Sequence, residues 1–135
     1  MAVLCLTAEY VALNASDLKT WCKKAELTVD VAEEDVSTFA SAGWKEVTGG
    51  QKSGQLALTF NDDFAAAALD GIIWPLLGTV VSFEVRPTQG VVSATNPKYT
   101  GSVLVSGTKF GGEVAKVAEK DVTFSTSGAV ARATA

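Results

Sequence analysis

The chain has 135 residues, 47% of them apolar and 19% charged, with 12 Gly and 3 Pro, which excludes a disordered polymer and suits strands joined by tight turns. Its net charge of −4 offers no basic footprint for gripping phosphates. There is no His, so triad hydrolases and His-ligated zinc sites are out of reach.

Met1–Leu6 is apolar but lacks the basic start and the length of a signal peptide. Cys5 and Cys22 have no metal-ligand spacing; they read as free thiols, at least partly buried, with a Cys5–Cys22 disulfide as the minority alternative. Tyr10–Leu13 is a short strand. Asn14-Ala15-Ser16-Asp17 supplies turn and capping chemistry, and Asp17–Cys22 is expected to make one helical turn.

From Lys24 to Val31 every odd position is apolar and every even one polar. Period two places Ala25, Leu27, Val29 and Val31 on one strand face and Glu26 and Asp30 on the other. Glu33–Ser53 then reads as an extended loop segment, with Val36–Gly43 as the loop proper and Lys45–Thr48 as a short strand near its end. It is rich in acidic and small residues, yet it holds two large aromatics, Phe39 and Trp44. Structureless loops of this length are uncommon and usually functional.

Gln55–Asn61 alternates again, with Leu56, Leu58 and Phe60 on one face. Asp62-Asp63 is expected to open the one good helix, running through the alanines of Phe64–Leu69 and stopped near Trp74 by Pro75. Trp74, after Ile72-Ile73, reads as core. Ala65–Phe83 is apolar, but Asp70, Gly71, Pro75 and Gly78 interrupt it, which argues against a membrane span. Thr79–Arg86 is a strand with Val81, Phe83 and Val85 inward. Thr88–Pro97 is a polar loop, Lys98–Ser106 a strand, and Glu113–Thr126 one or two strands with Val122 and Phe124 alternating. Residues 127–135 form a small, polar tail expected to fray. Together these predict a single domain over 1–135: mainly β with one α-helix, two packed antiparallel sheets in a sandwich or partly open barrel.

Motifs that carry chemistry are missing. Gly49-Gly50-Gln51-Lys52-Ser53 fails the phosphate-loop pattern, since Gln51 and Glu46 stand where glycines are needed. Glu33-Glu34-Asp35 and Asp62-Asp63 lack calcium-loop spacing and read as solvated charge and a helix cap. No catalytic residue, cofactor or metal ligand is assigned, and an enzyme is not expected. Trp44 is the aromatic most suited to an intermolecular contact.

Several segments, in order, resemble one family. They are Asn14-Ala15-Ser16-Asp17-Leu18-Lys19-Thr20-Trp21-Cys22 before the alternating strand, Gly43-Trp44-Lys45-Glu46, Gly50-Gln51-Lys52-Ser53-Gly54, Trp74-Pro75-Leu76-Leu77-Gly78-Thr79, Ser93-Ala94-Thr95-Asn96-Pro97-Lys98-Tyr99-Thr100-Gly101 and Ser127-Gly128-Ala129-Val130-Ala131-Arg132. This series resembles the major tail tube proteins of siphophages of actinobacterial hosts, with a departure at Gly107–Val117. The resemblance implies a virion tail subunit, made in the host cytoplasm. Its hexameric rings would stack into a tube that DNA crosses without specific binding. Tape measure, tail tip and tail terminator proteins are its implied partners, with no membrane and no cofactor. It further implies that Glu33–Ser53, with Phe39, Trp44 and Lys45, reaches an adjacent ring, and that sheet residues line the lumen. The acidic balance of the chain makes polar-face strand residues, Glu26 and Asp30 or Glu84, the lumen candidates. The alternatives are a related ring protein, such as a tail terminator or head–tail joining protein, and a monomeric β-sandwich that binds a ligand.

Overall fold

A computed structural model describes Cys5 and residues 8–65 and 68–135. Within them the strands are β1 (Tyr10–Leu13), β2 (Ser16–Asp17), β3 (Cys22–Asp35), β4 (Val47–Asn61), β5 (Val80–Arg86), β6 (Lys98–Leu104), β7 (Glu119–Ser125) and β8 (Ala131–Ala133), with one helix, α1 (Leu69–Ile73), between β4 and β5. They form two antiparallel sheets, a five-stranded one ordered β2-β1-β5-β6-β8 and a three-stranded one ordered β3-β4-β7.

Alternation decides what lies between the sheets. Val11, Leu13, Val81, Phe83, Val85 and Val103 point inward from the larger sheet, and Leu56, Leu58, Phe60, Val122 and Phe124 from the smaller one. Leu18, Leu69, Ile73 and Val105 complete this core. Gly101 lies opposite Phe83 across the β5–β6 ladder. A Cβ there would stand 2.9 Å from the Phe83 ring, so glycine makes room for the phenylalanine.

The β1–β2 turn at Asn14-Ala15 has φ of 52° and 63°, the left-handed pair of a tight hairpin. Ser16–Asp17 is therefore a strand, not the start of a helical turn. Only the bonds from the Trp21 and Cys22 N–H groups to the Leu18 carbonyl, at 3.1 and 3.0 Å, keep the helical spacing expected there.

The helix starts later than alanine content predicts. Phe64 and Ala65 are not helical, and Ala66 and Ala67 lie outside the described residues. Long-range bonds override the propensity. The Asp62 N–H donates to the Ala118 carbonyl at 2.8 Å. Asp63 accepts from the Ala65 N–H at 3.0 Å and from the Trp21 indole at 2.9 Å. Trp74 is not core; it is 62% exposed. Leu69 and Ile73, four residues apart, take the buried face of α1, and Pro75 turns the chain into a 3-10 turn at Trp74–Leu76.

Two further expectations change. Glu33–Ser53 is strand at both ends, because β3 runs on to Asp35 and β4 starts at Val47 as a long hairpin, and the loop expected at Val36–Gly43 lies between them. The tail expected to fray is tied down where Ala131–Ala133 pairs with β6. Cys5 and Cys22 are both unpaired thiols; Cys22 is half-buried, whereas Cys5 is exposed and not buried as expected.

Candidate assembly surfaces

The alternating pattern of β3 continues past the end of the sandwich. β7 pairs with β4 only over Gln55–Asn61, and Thr126 adds a bond to Gly54, so Val47–Ser53 is partnered by β3 alone. This leaves a two-stranded ribbon, a form that is marginal by itself in water. Val29 and Val31 share the strand face of Ala25 and Leu27, as their spacing predicts. Leu27 packs on the core, but Val29 and Val31 are each 51% exposed because the opposite sheet does not reach them.

The loop at the tip, residues 36–46, is built by its own polar groups. The Val36 N–H donates to the Glu46 carbonyl at 2.9 Å, and the Glu46 N–H to Ser37 Oγ at 2.7 Å. Thr38 caps a 3-10 turn at Phe39–Ser41; its Oγ1 accepts from the Ala40 N–H while Ser41 Oγ accepts from the Thr38 N–H. Ala42 and Gly43 then take positive φ, 54° and 84°, and turn the chain back. Asp35 accepts the Ser37 N–H at 2.8 Å, which holds its carboxyl below the usual range. Lys45 pairs with Glu33 at 3.0 Å. The tip spends its polar groups on itself and turns its aromatics outward. Phe39 is fully exposed and Trp44 79% exposed, each far more than packing within one chain leaves a large aromatic.

The second surface is the outer face of the three-stranded sheet. Ladder register places Glu26 opposite Ala57 and Thr123, and Thr28 opposite Gln55 and Ser125. Asp30 lies opposite Ser53, and Thr59 opposite Asp121. Every side chain in this array is polar or no larger than Ala. Burial, and then the nearby Glu26 carboxylate, raise the Glu9 carboxyl above its ordinary value at the edge of this sheet. Lys23 reaches Glu119 at 2.6 Å and Lys24 reaches Glu26 at 3.6 Å.

Glu84 does not join that array. It lies on β5 of the other sheet, on the outward parity between Phe83 and Val85, and pairs with Arg86. Arg86 stacks over the Tyr10 ring, 4.2 Å from its centroid. Glu26 and Asp30 therefore share one face, and Glu84 looks out on the opposite side of the sandwich. Among the described residues no three Cys, Asp or Glu side chains converge as metal ligands, and no helix is long and apolar enough to cross a membrane.

One ionic group was not anticipated from the sequence. Lys120, on the same parity as Val122 and Phe124, is completely buried. Its Nζ lies 3.6 Å from Asp62 Oδ1 and 3.3 Å from Asp70 Oδ1. The signal was present in the alternation itself, which turns Lys120 inward with Val122.

No family model matches the chain, and no curated protein matches it. Solved structures do. One is a chain in the virion of a native gene transfer agent particle, at 17% identity with a TM-score of 0.72, covering 92% of this chain and 94% of that one. Another is a chain in the tail of an empty gene transfer agent particle obtained by helical refinement with C6 symmetry, at 17% identity and a TM-score of 0.64, covering 82% and 81%. The likeness is one of fold: two antiparallel sheets and a helix arranged as in a virion tail protein.

Proposed function

We propose that this chain is a structural subunit of a phage-type tail tube, without enzymatic activity, whose hexameric rings stack into a conduit for DNA. The observation that carries the reading is the unsupported hairpin. One chain exposes Val29, Val31, Phe39 and Trp44 together on a ribbon stiffened by its own hydrogen bonds. A second copy that covers them removes the cost of that exposure and protects the ribbon's free edges. The shared fold with a tail determined under C6 symmetry supports sixfold rings. The conduit places the chain in a virion tail, made in the host cytoplasm, with tape measure, tail tip and tail terminator proteins as partners. Its siphophage, actinobacterial-host type rests on the sequence resemblance.

Within that reading the three-stranded sheet lines the lumen. Its outer face carries Glu26, Asp30, Glu119 and Asp121 against Lys23 and Lys24. Four carboxylates against two ammonium groups leave −2 per copy, and so −12 for six. A wall of that sign and without apolar bulk repels phosphates, so DNA slides and does not adhere. Glu26 and Asp30 are then lumen residues and Glu84 is not. Phe39, Trp44 and Lys45 form the inter-ring contact.

The test is Trp44→Ala. It removes a side chain the monomer does not use, so the melting temperature should stay within a degree or two, while tube formation in negative stain is lost. Burying most of an indole, roughly 200 Å² at about 25 cal/mol per Å², contributes up to about 5 kcal/mol per contact. Normal tubes from this variant would contradict the assignment.

A further inference from the structure

The stacking hairpin needs a seat on the next copy, and the fold supplies one. The loop that joins Val105 to Glu119 lies at the far end of the strands that carry the tip, because Glu119 pairs with Asn61, the last residue of β4. There Phe110 meets Phe64 edge to face, with ring centroids 5.4 Å apart, and both rings remain exposed together with Val114 and Val117. An open groove runs past Phe110 and Val117, lined by Lys109 and Lys116 and by Glu113, Glu119 and Asp121.

We infer that the Phe39/Trp44 tip of one copy seats on the Phe64–Phe110–Val117 surface of a second copy, head to tail. This rests on the tube reading above. Three observations select it. First, the two apolar surfaces stand at opposite ends of one hairpin. β4 is 15 residues long, about 45 Å at roughly 3.3 Å per residue. A contact between unlike surfaces at the two ends of one long axis repeats along that axis as an open stack, the heterologous case in which rotation does not close a ring. Second, the charges match. The tip carries Glu33, Glu34, Asp35 and Glu46 against Lys45, a net −3, and the groove offers it Lys109 and Lys116, with Glu113 and Asp121 also in its lining and Glu119 already paired with Lys23. Third, the rival apolar surface, formed by Trp74, Leu77, Val80 and Leu104, has no charged residue in the 74–80 segment and nothing to pair with an acidic tip. Such complementarity orients encounter and sets register.

The experiment is site-directed crosslinking that leaves every proposed contact residue in place. Ala40→Cys marks the tip and Gly112→Cys the seat, both in a Cys5→Ser background. A Cβ at Gly112 comes no closer than 3.7 Å to its nearest neighbour, Ala118, so the substitution is accommodated. A short bismaleimide added to assembled protein should give a ladder of dimers, trimers and higher species, and neither single variant should give more than a trace. Negative stain of the same sample reports whether tubes are present. Tubes without the ladder, or a ladder from Ala40→Cys with Val80→Cys in place of Gly112→Cys, overturn this inference and leave the tube reading intact. Absence of any assembly overturns both. As an independent arm, Lys109→Glu with Lys116→Glu should slow assembly at least tenfold, and adding Glu34→Lys with Glu46→Lys should restore it. Failure of that restoration, with all variants folded, also counts against the seat.

Discussion

Lys120 is the position where a small change should cost the most. Its side chain is buried between β7 and α1, and the Asp62 side chain beside it is equally hidden from water. The second Asp62 oxygen, Oδ2, has no hydrogen-bond partner. Lys120→Met keeps the volume and removes the ammonium, leaving a desolvated carboxylate with no counter-charge. Breaking one side of a buried pair costs about 3–5 kcal/mol, against a total stability of about 5–15 kcal/mol for a domain. For a chain of this size that is a fall of roughly 10–20 °C in melting temperature. Asp70 contributes less, since its side chain is 38% exposed and can hydrate. Urea unfolding of the monomer measures the effect, with an unchanged m-value confirming that compactness is not altered. The companion variant, Lys120→Met with Asp62→Leu, removes both charges and should recover most of the loss. The reasoning fails if the single variant loses less than about 1 kcal/mol, or if the double variant is no more stable than the single.

Two predictions concern titration and thiol chemistry. Asp63 is held below the ordinary carboxylate range by the Ala65 N–H and then by the Trp21 indole; a group lowered on folding stabilises above its unfolded pKa, about 3.9, and that stabilisation is lost as pH falls through the lowered value. The Trp21 indole N–H resonance should therefore move with a midpoint below 3.9, and a midpoint at or above it would show that the bond is not formed. Burial pushes the Cys22 thiol up to about 11, and only the thiolate reacts; at pH 8.5 Cys22 should label roughly a hundredfold more slowly than an unperturbed thiol, and equal rates at Cys5 and Cys22 would contradict its placement against the core.

The sequence made the sandwich readable wherever burial alternates with period two. Leu56/Leu58/Phe60, Val81/Phe83/Val85 and Val122/Phe124 all follow that rule into the core. It misled where tertiary bonds outweigh local preference. Alanine propensity placed a helix start at Phe64, but Asp62 and Asp63 are tied to Ala118 and Trp21. The acidic, Gly-rich composition of Glu33–Ser53 suggested a loop, whereas pairing within the hairpin makes its two ends, Glu33–Asp35 and Val47–Ser53, strand. Which face of each sheet is covered depends on pairing order, so the sequence could not separate Glu84 from Glu26 and Asp30. Phe39 and Trp44 were legible as misfits, because aromatics without a local apolar pattern have no core to join. The Phe64–Phe110 surface brings together residues 46 positions apart and left no local trace.

The central claim is that one chain builds a stacked tube. Cryo-electron microscopy of the assembled protein tests it most directly. The account predicts sixfold rings with the three-stranded sheet inward and the hairpin tip in contact with the next ring. The axial repeat should be no greater than about 45 Å, the length of the hairpin at 3.3 Å per residue. A chain that stays monomeric or closes into single rings at every concentration, or a tube whose hairpin tips point into solvent, would contradict it.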